Sequence, residues 1–95
     1  MAEAQKGYPY APVMLYNLTC DIVEMYKAKI TENKSGRVAF TTEMYGQKTS
    51  YLFRIDEQAD GCLLSIEIPE DEKQAEKQIS FMFSLVDIIL AHLPK

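Results

Sequence analysis

The chain of 95 residues has the length of one small domain, with 47% hydrophobic and 25% charged residues. This composition is typical of a folded globular protein and excludes a disordered chain. The net charge of −4 argues against non-specific binding to nucleic acid or to an anionic membrane. No apolar stretch approaches the ~20 residues that a membrane-spanning helix needs. We therefore expect neither a nucleic-acid nor a membrane partner.

Breakers of regular structure are concentrated at the N-terminus, where Gly7, Pro9 and Pro12 interrupt the chain. A residue before proline is also biased towards extended backbone. We therefore expect a flexible arm over residues 1–12, followed by a single α+β domain over residues 13–95. The first residues are polar and do not resemble a secretory leader, which favours a cytoplasmic protein.

The segment Val13–Thr31 contains no glycine or proline and has two possible interpretations. Its even-numbered positions are mainly apolar, and this alternation predicts a strand with a bend, a bulge or a turn. A helix over Pro12–Met25 is the alternative, because four apolar residues of that range fall on one helical face. The helix requires a break before Tyr26, where no usual breaker is present, so the strand is favoured.

A meander of three clear strands is predicted between Gly36 and Ile68, where apolar and polar residues alternate between short turns. One face of this sheet is expected to be apolar, and the other polar and largely basic. RNA-binding sheets carry aromatic side chains on the basic face, whereas here most aromatic residues fall on the opposite face. The basic residues predicted for the polar face are Lys27, Lys29, Arg37, Lys48 and Arg54.

A long C-terminal helix is predicted from Glu70 to about Leu93, where Pro94 stops it. The acidic residues at its start suit the positive end of a helix dipole. The second half of the helix is apolar over most of its circumference, which is more than one sheet face requires. The expected fold is α+β, an antiparallel meander of four to five strands with this helix packed on one face.

Few residues suggest chemistry. His92 is the single histidine and lies at the predicted helix end, a position that the helix dipole favours. Cys20 and Cys62 are widely separated and do not form a zinc-binding pair, and the glycines form no phosphate-binding loop. We expect no metal, no cofactor and no catalytic residue, so an enzyme ranks last among the candidate functions.

The order of the elements resembles the second half of the helix-grip domains, the START/Bet v 1-like superfamily. The stretch Gly36–Ile68 and the helix from Glu70 carry this similarity. The resemblance implies a cavity for a small apolar molecule between sheet and helix. The family's first strand and helix pair have no clear counterpart in Met1–Asp21, which implies an open groove that a second copy of the chain could cover.

Two functions follow from these expectations. The first is a non-enzymatic binding or interaction domain that forms a homodimer through its C-terminal helix. The alternative is a small apolar-ligand carrier of the helix-grip type. The candidate dimer interface consists of Phe83, Val86, Ile89 and Leu90. The candidate ligand groove consists of Tyr26, Phe40, Met44, Tyr51, Phe53, Phe81, Met82 and Leu85.

Overall fold

The structure, a computed structural model, describes residues 2–44, 46–70 and 73–93, with the side chain of Met44 outside the description. Seven elements follow in the order β-α-β-β-β-β-α, so the predicted α+β class is confirmed. The strands are β1 (Ala2–Tyr8), β2 (Lys29–Lys34), β3 (Arg37–Met44), β4 (Gln47–Gln58) and β5 (Gly61–Ile68). The helices are α1 (Pro12–Met25) and α2 (Ala75–Ala91).

The five strands form one antiparallel sheet in the order β1-β5-β4-β3-β2. The predicted meander is therefore present as β2 to β5. A flexible arm was expected over residues 1–12. In the structure, most of this segment instead forms β1 at the edge of the sheet. Ala2 lies opposite Ile68 and Tyr8 lies opposite Cys62, so the pairing with β5 is continuous.

Gly61 explains how the end of β1 can approach β5 so closely. Its backbone φ is +147°, and a Cβ atom at this position would lie 2.0 Å from the carbonyl oxygen of Tyr8. Only glycine avoids that overlap and tolerates such a conformation. Gly7 lies within β1, and Pro9 does not prevent the strand because β1 ends immediately before it.

The strand favoured over Val13–Thr31 is wrong for Pro12–Met25, where the helical alternative is correct, and is right only for Lys29–Thr31 at the start of β2. Proline is well tolerated in the first turn of a helix, where its missing N–H costs nothing. The helix ends in a Schellman motif: Lys27 has a φ of +51°, and Ala28 N donates to the Val23 carbonyl oxygen at 2.8 Å. Lys27 thus lies in a turn rather than on the predicted basic sheet face.

Both helices pack on the same face of the sheet. Thr42 and Thr49 are directly paired across β3 and β4, so their side chains share a face. Thr42 Oγ1 donates to the carbonyl oxygen of Tyr26 at the end of α1, and Gln78 of α2 donates to Thr49 Oγ1. Helices and sheet enclose a single core that includes Leu15, Ile22, Phe40, Phe53, Leu64, Ile66, Met82 and Val86.

The C-terminal helix α2 is confirmed, although it begins at Ala75 rather than at Glu70 and ends at Ala91. Two of the acidic residues predicted at its start, Asp71 and Glu72, lie outside the described residues. The same is true of Pro94, the predicted stop. Within the described chain, the backbone N–H groups of His92 and Leu93 close the helix by donating to the carbonyl oxygens of Ile89 and Leu90, respectively.

Candidate functional site

The centre of the predicted ligand groove is a packed core. Phe40, Tyr51, Phe53 and Met82 are almost completely inaccessible to solvent. The ring centroid of Phe40 lies 5.6 Å from that of Tyr51 and 5.3 Å from that of Phe53, within the range of favourable aromatic pairs. The space between sheet and helix is thus occupied by the side chains that were expected to line a cavity.

The other members of the predicted groove do not join into one site. Tyr26, Phe81 and Leu85 are partly buried and pack against the margin of the core. The side chain of Met44 lies outside the described residues. Of this group, Phe81 lines a cleft at the surface.

That cleft lies beside the N-terminal half of α2, next to the start of β4, and has a volume of about 510 Å³. Small-molecule pockets commonly span about 300–1,000 Å³. Its lining includes Gln47, Lys77, Gln78, Phe81 and Ser84. The cleft combines an aromatic side chain, amide groups and one lysine within two turns of a helix.

Gln78 is the unusual member of this lining, because it is a polar residue on the buried side of α2 with only 5% of its surface exposed. Its Nε2 donates to Thr49 Oγ1 at 3.1 Å. Within the described part of the chain, its Oε1 is buried and has no hydrogen-bond partner. A buried acceptor without a partner costs about 1–3 kcal/mol.

Gln78 is not among the residues predicted from the sequence to form a site. The available signal was its position, because it lies four residues before Met82 and three after Ala75, on the apolar stripe of the helix. A polar residue on such a stripe is either paired inside the protein or available to a ligand.

The predicted dimer residues occupy different environments on α2. Val86 is fully buried in the core of its own chain and is therefore not available for contact with a second copy. Phe83, Ile89 and Leu90 are partly buried. Ile88 is the most exposed large apolar residue of α2 in the described chain, with 56% of its surface accessible.

Phe83 and Leu90 lie on the flank of α2 that faces β1. Asp87 is four residues after Phe83 and three before Leu90, so these three side chains share one side of the helix. Asp87 Oδ2 lies 2.7 Å from Lys6 Nζ, and Asp87 Oδ1 accepts a 2.9 Å hydrogen bond from the hydroxyl of Tyr8. Because Lys6 and Tyr8 belong to β1, this flank of α2 borders the edge of the sheet.

The contacts of Asp87 with Lys6 and Tyr8 also shift pKa values. The hydrogen bond from Lys6, supported by the one from Tyr8, holds the pKa of Asp87 below its usual value. Burial, together with the hydrogen bond to Asp87, raises the pKa of Tyr8 well above its usual value. At neutral pH Asp87 is therefore a carboxylate and Tyr8 is a neutral phenol.

The open face of the sheet is less basic than its sequence suggested, because acidic side chains from two edge strands are interleaved with the basic ones. Arg54 pairs with Glu3 of β1, and Arg37 and Lys34 pair with Glu32 of β2. The hydrogen bond from Arg37 lowers the pKa of Glu32. This alternation of charge is typical of a solvated sheet face.

The residues with potential for other chemistry are dispersed. His92 is exposed, and its Nδ1 lies 2.7 Å from the carbonyl oxygen of Ile88. Cys20 and Cys62 are free, and burial raises the pKa of the Cys62 thiol. The described residues include no cluster of three or more histidine, cysteine or acidic side chains suited to a metal ion. None of the described helices has the length and hydropathy required to cross a membrane.

No protein-family model, curated protein or solved structure matches this chain.

Proposed function

We propose that this chain is a non-enzymatic interaction domain that works as a homodimer, joined along β1 and the adjacent flank of α2. The observation that carries this proposal is the free edge of β1. The strand occupies the end of the sheet, and no other described strand pairs with its outer side. An unprotected edge of this kind is a template for pairing with another strand.

The two edges of the sheet differ in a way that favours β1 as the interface. The register of β2 shifts between Ile30 and Glu32, whereas both edge strands carry charged residues. A bulge on an edge strand hinders pairing with a second chain. By contrast, β1 pairs with β5 in one unbroken register from Ala2 to Tyr8, so its outer backbone groups form a regular ladder.

The flank of α2 beside β1 supplies apolar surface for the same contact. Phe83 and Leu90 are only partly buried by their own chain, and Ala4 of β1 is exposed. A two-fold axis perpendicular to the sheet at β1 would join two sheets edge to edge and bring this surface next to its copy. A chain this small has a thin core, so such burial would add substantially to its stability.

The test is the solution mass of two matched variants. Phe83→Gln combined with Leu90→Gln should give a monomer, whereas Ile88→Gln, on the other side of α2, should remain a dimer. Circular dichroism would establish that both variants keep their secondary structure. A folded Phe83→Gln/Leu90→Gln variant that stays dimeric would place the interface elsewhere.

A second candidate function is the binding of a small molecule, as in a helix-grip carrier. It is supported by the cleft at Phe81. The core between sheet and helices is filled, so the cleft is the place where such a ligand would bind.

A further inference from the structure

We propose that β1 pairs antiparallel with β1 of a second copy in one defined register, with the two-fold axis at Gln5 and the two α2 helices packed on each other across it. This arrangement rests on the proposed homodimer and specifies which residues of the two chains meet. It follows from the direction of the backbone groups of β1, from the charges along the strand and from the position of α2 over the sheet.

The hydrogen bonds of the sheet determine which backbone groups of β1 are free. Ile55 N donates to the carbonyl oxygen of Gly36 at 2.8 Å, so residue 55 of β4 directs its backbone groups towards β3. These groups alternate in direction along a strand, and β4 pairs with β5 without a shift of register. Arg54 therefore directs its backbone groups towards β5.

The same alternation extends across β5 to β1. Arg54 lies opposite Ser65, so Ser65 directs its backbone groups back to β4 and the next residue, Ile66, directs its groups to β1. Ile66 lies opposite Ala4, which therefore bonds inwards to β5. The residues of β1 whose N–H and C=O groups point outwards are Glu3, Gln5 and Gly7.

A two-fold axis at Gln5 engages all of these outward groups. Gln5 then lies opposite Gln5 of the second copy, and Glu3 lies opposite Gly7 of the second copy, each as a hydrogen-bonded pair. The exposed side chains of the two Gln5 residues are neighbours on the open face of the sheet, where their amides can bond to each other.

Neighbouring registers are less favourable. An axis at Ala4 would move Gly7 past the start of the second copy's β1, which begins at Ala2. An axis at Lys6 would place this residue directly opposite its own copy, and like charges in that position destabilise a sheet. The axis at Gln5 gives a longer ladder than either and brings no like charges together.

The position of α2 fits this pairing. The helix packs on both β1 and β5, so its axis lies above the space between them. With strands about 4.8 Å apart, the axes of α2 and its copy would be about 10 Å apart, which is close to the 8–10 Å of packed helices. α2 also runs in the same direction as β1, because Gln78 near its start contacts Thr49, at the end of the sheet where β1 begins.

This geometry places Phe83 at the two-fold axis. Asp87 contacts both Lys6 and Tyr8, so it lies level with the residue between them. Gln5 is about 7 Å further back along β1, and Phe83 is about 6 Å further back along α2. Phe83, which its own chain only partly buries, therefore meets its copy.

Cysteine cross-linking measures the register. The background is Cys20→Ala, because Cys20 is the native thiol that is not buried. In this background, oxidation of Gln5→Cys with diamide should give a disulfide-linked species of twice the 10.9 kDa of one chain. Facing Cα atoms of a hydrogen-bonded pair lie about 5.5 Å apart, within the reach of a disulfide.

Glu3→Cys and Gly7→Cys are the matched controls. Each should form no cross-link alone, and the two should form one when mixed, because they face each other only between different copies. Position 7 accepts the side chain, since a Cβ atom there meets nothing within 4 Å.

Phe83→Gln should raise the dissociation constant of the dimer about tenfold or more, because central aromatic contacts carry much of the binding energy of an interface. Leu90→Gln, about 10 Å further along the helix, should raise it less. Equal effects of the two substitutions would contradict an axis at Gln5.

Light scattering on the reduced samples separates the register from the homodimer itself. A dimer that cross-links through Ala4→Cys or Lys6→Cys rather than Gln5→Cys overturns the register and leaves the homodimer intact. A dimer that cross-links at no position of β1 overturns the register and moves the interface to another surface. A folded monomer overturns both.

Discussion

The hydroxyl of Tyr8 donates a 2.9 Å hydrogen bond to Asp87 Oδ1 and so joins the first strand of the protein to its last helix. Lys6 pairs with the other carboxylate oxygen of the same aspartate. The N-terminal segment is therefore an integral part of the fold. Its outer edge is held beside the flank of α2 that carries the partly buried Phe83 and Leu90, which is the arrangement that the proposed dimer requires.

The contacts of Asp87 with Lys6 and Tyr8 make the free energy of unfolding depend on pH in the acidic range. The pKa of Asp87 is lowered from an ordinary value of 3.8, mainly by its hydrogen bond with Lys6. The unfolded chain therefore takes up a proton at this site before the folded chain does. The stabilisation is complete above pH 4 to 5 and is lost as the pH falls through the folded pKa.

We predict that Asp87→Asn reduces the loss of unfolding free energy between pH 5 and pH 2.5 by about 0.5–1 kcal/mol, a modest value because the carboxylate is partly exposed. Urea denaturation at both pH values measures the effect. Asp56→Asn, at an exposed aspartate of β4, is the control and should keep the dependence of the unmodified protein. Identical pH dependence in all three proteins would contradict the assignment.

Gly61 is predicted to be essential for the attachment of β1. A methyl group there would overlap the carbonyl oxygen of Tyr8, so Gly61→Ala should lower the unfolding free energy by roughly 2–4 kcal/mol. Gly7→Ala is the matched control, because a Cβ atom at position 7 meets nothing within 4 Å. Thermal unfolding would show the difference, and equal melting temperatures would be inconsistent with the close approach.

Lys27 is predicted to be a site where stability can be gained. Its φ of +51° is unfavourable for a residue with a Cβ atom. Lys27→Gly should therefore increase the unfolding free energy by about 0.5–1 kcal/mol. Lys27→Ala removes the same charge and keeps the Cβ atom, so it should not be stabilising. If glycine and alanine have the same effect, the helix end is not a Schellman motif.

The free edge of β1 can be tested with proline at two adjacent positions. Successive residues of an edge strand direct their N–H groups alternately towards the neighbouring strand and away from it. One of Ala4→Pro and Gln5→Pro should therefore disrupt pairing with β5 and destabilise the fold. The other should remain folded but monomeric, because it removes a donor only from the outer edge. A folded proline variant that is still a dimer would exclude strand pairing.

The parts of the fold that sequence predicted correctly are those with local signals. Strands β3 to β5 alternate regularly between turns marked by glycine, and Pro69 separates them from α2. The end of α1 gave no such signal, because lysine rather than glycine occupies the left-handed position at residue 27. β1 was missed since its partner, β5, lies about sixty residues away and nothing near residues 2–8 indicates that pairing.

Prediction of the candidate site from sequence was limited in the same way. Alternation placed Phe40, Tyr51 and Phe53 correctly on the helix-facing side of the sheet, yet it contains no information on whether their volumes fill the space there. Similarly, the sequence showed that α2 carries more apolar residues than packing on one sheet face requires. The burial of Val86 depends on the rotation of the helix over β5 and β1, which only the structure defines.

The most direct test of the proposed homodimer is the mass of the unmodified chain by size-exclusion chromatography with light scattering, across a range of protein concentrations. We expect a mass twice the 10.9 kDa of one chain, decreasing only on dilution. A mass of one chain at every concentration, with the protein folded, would contradict it.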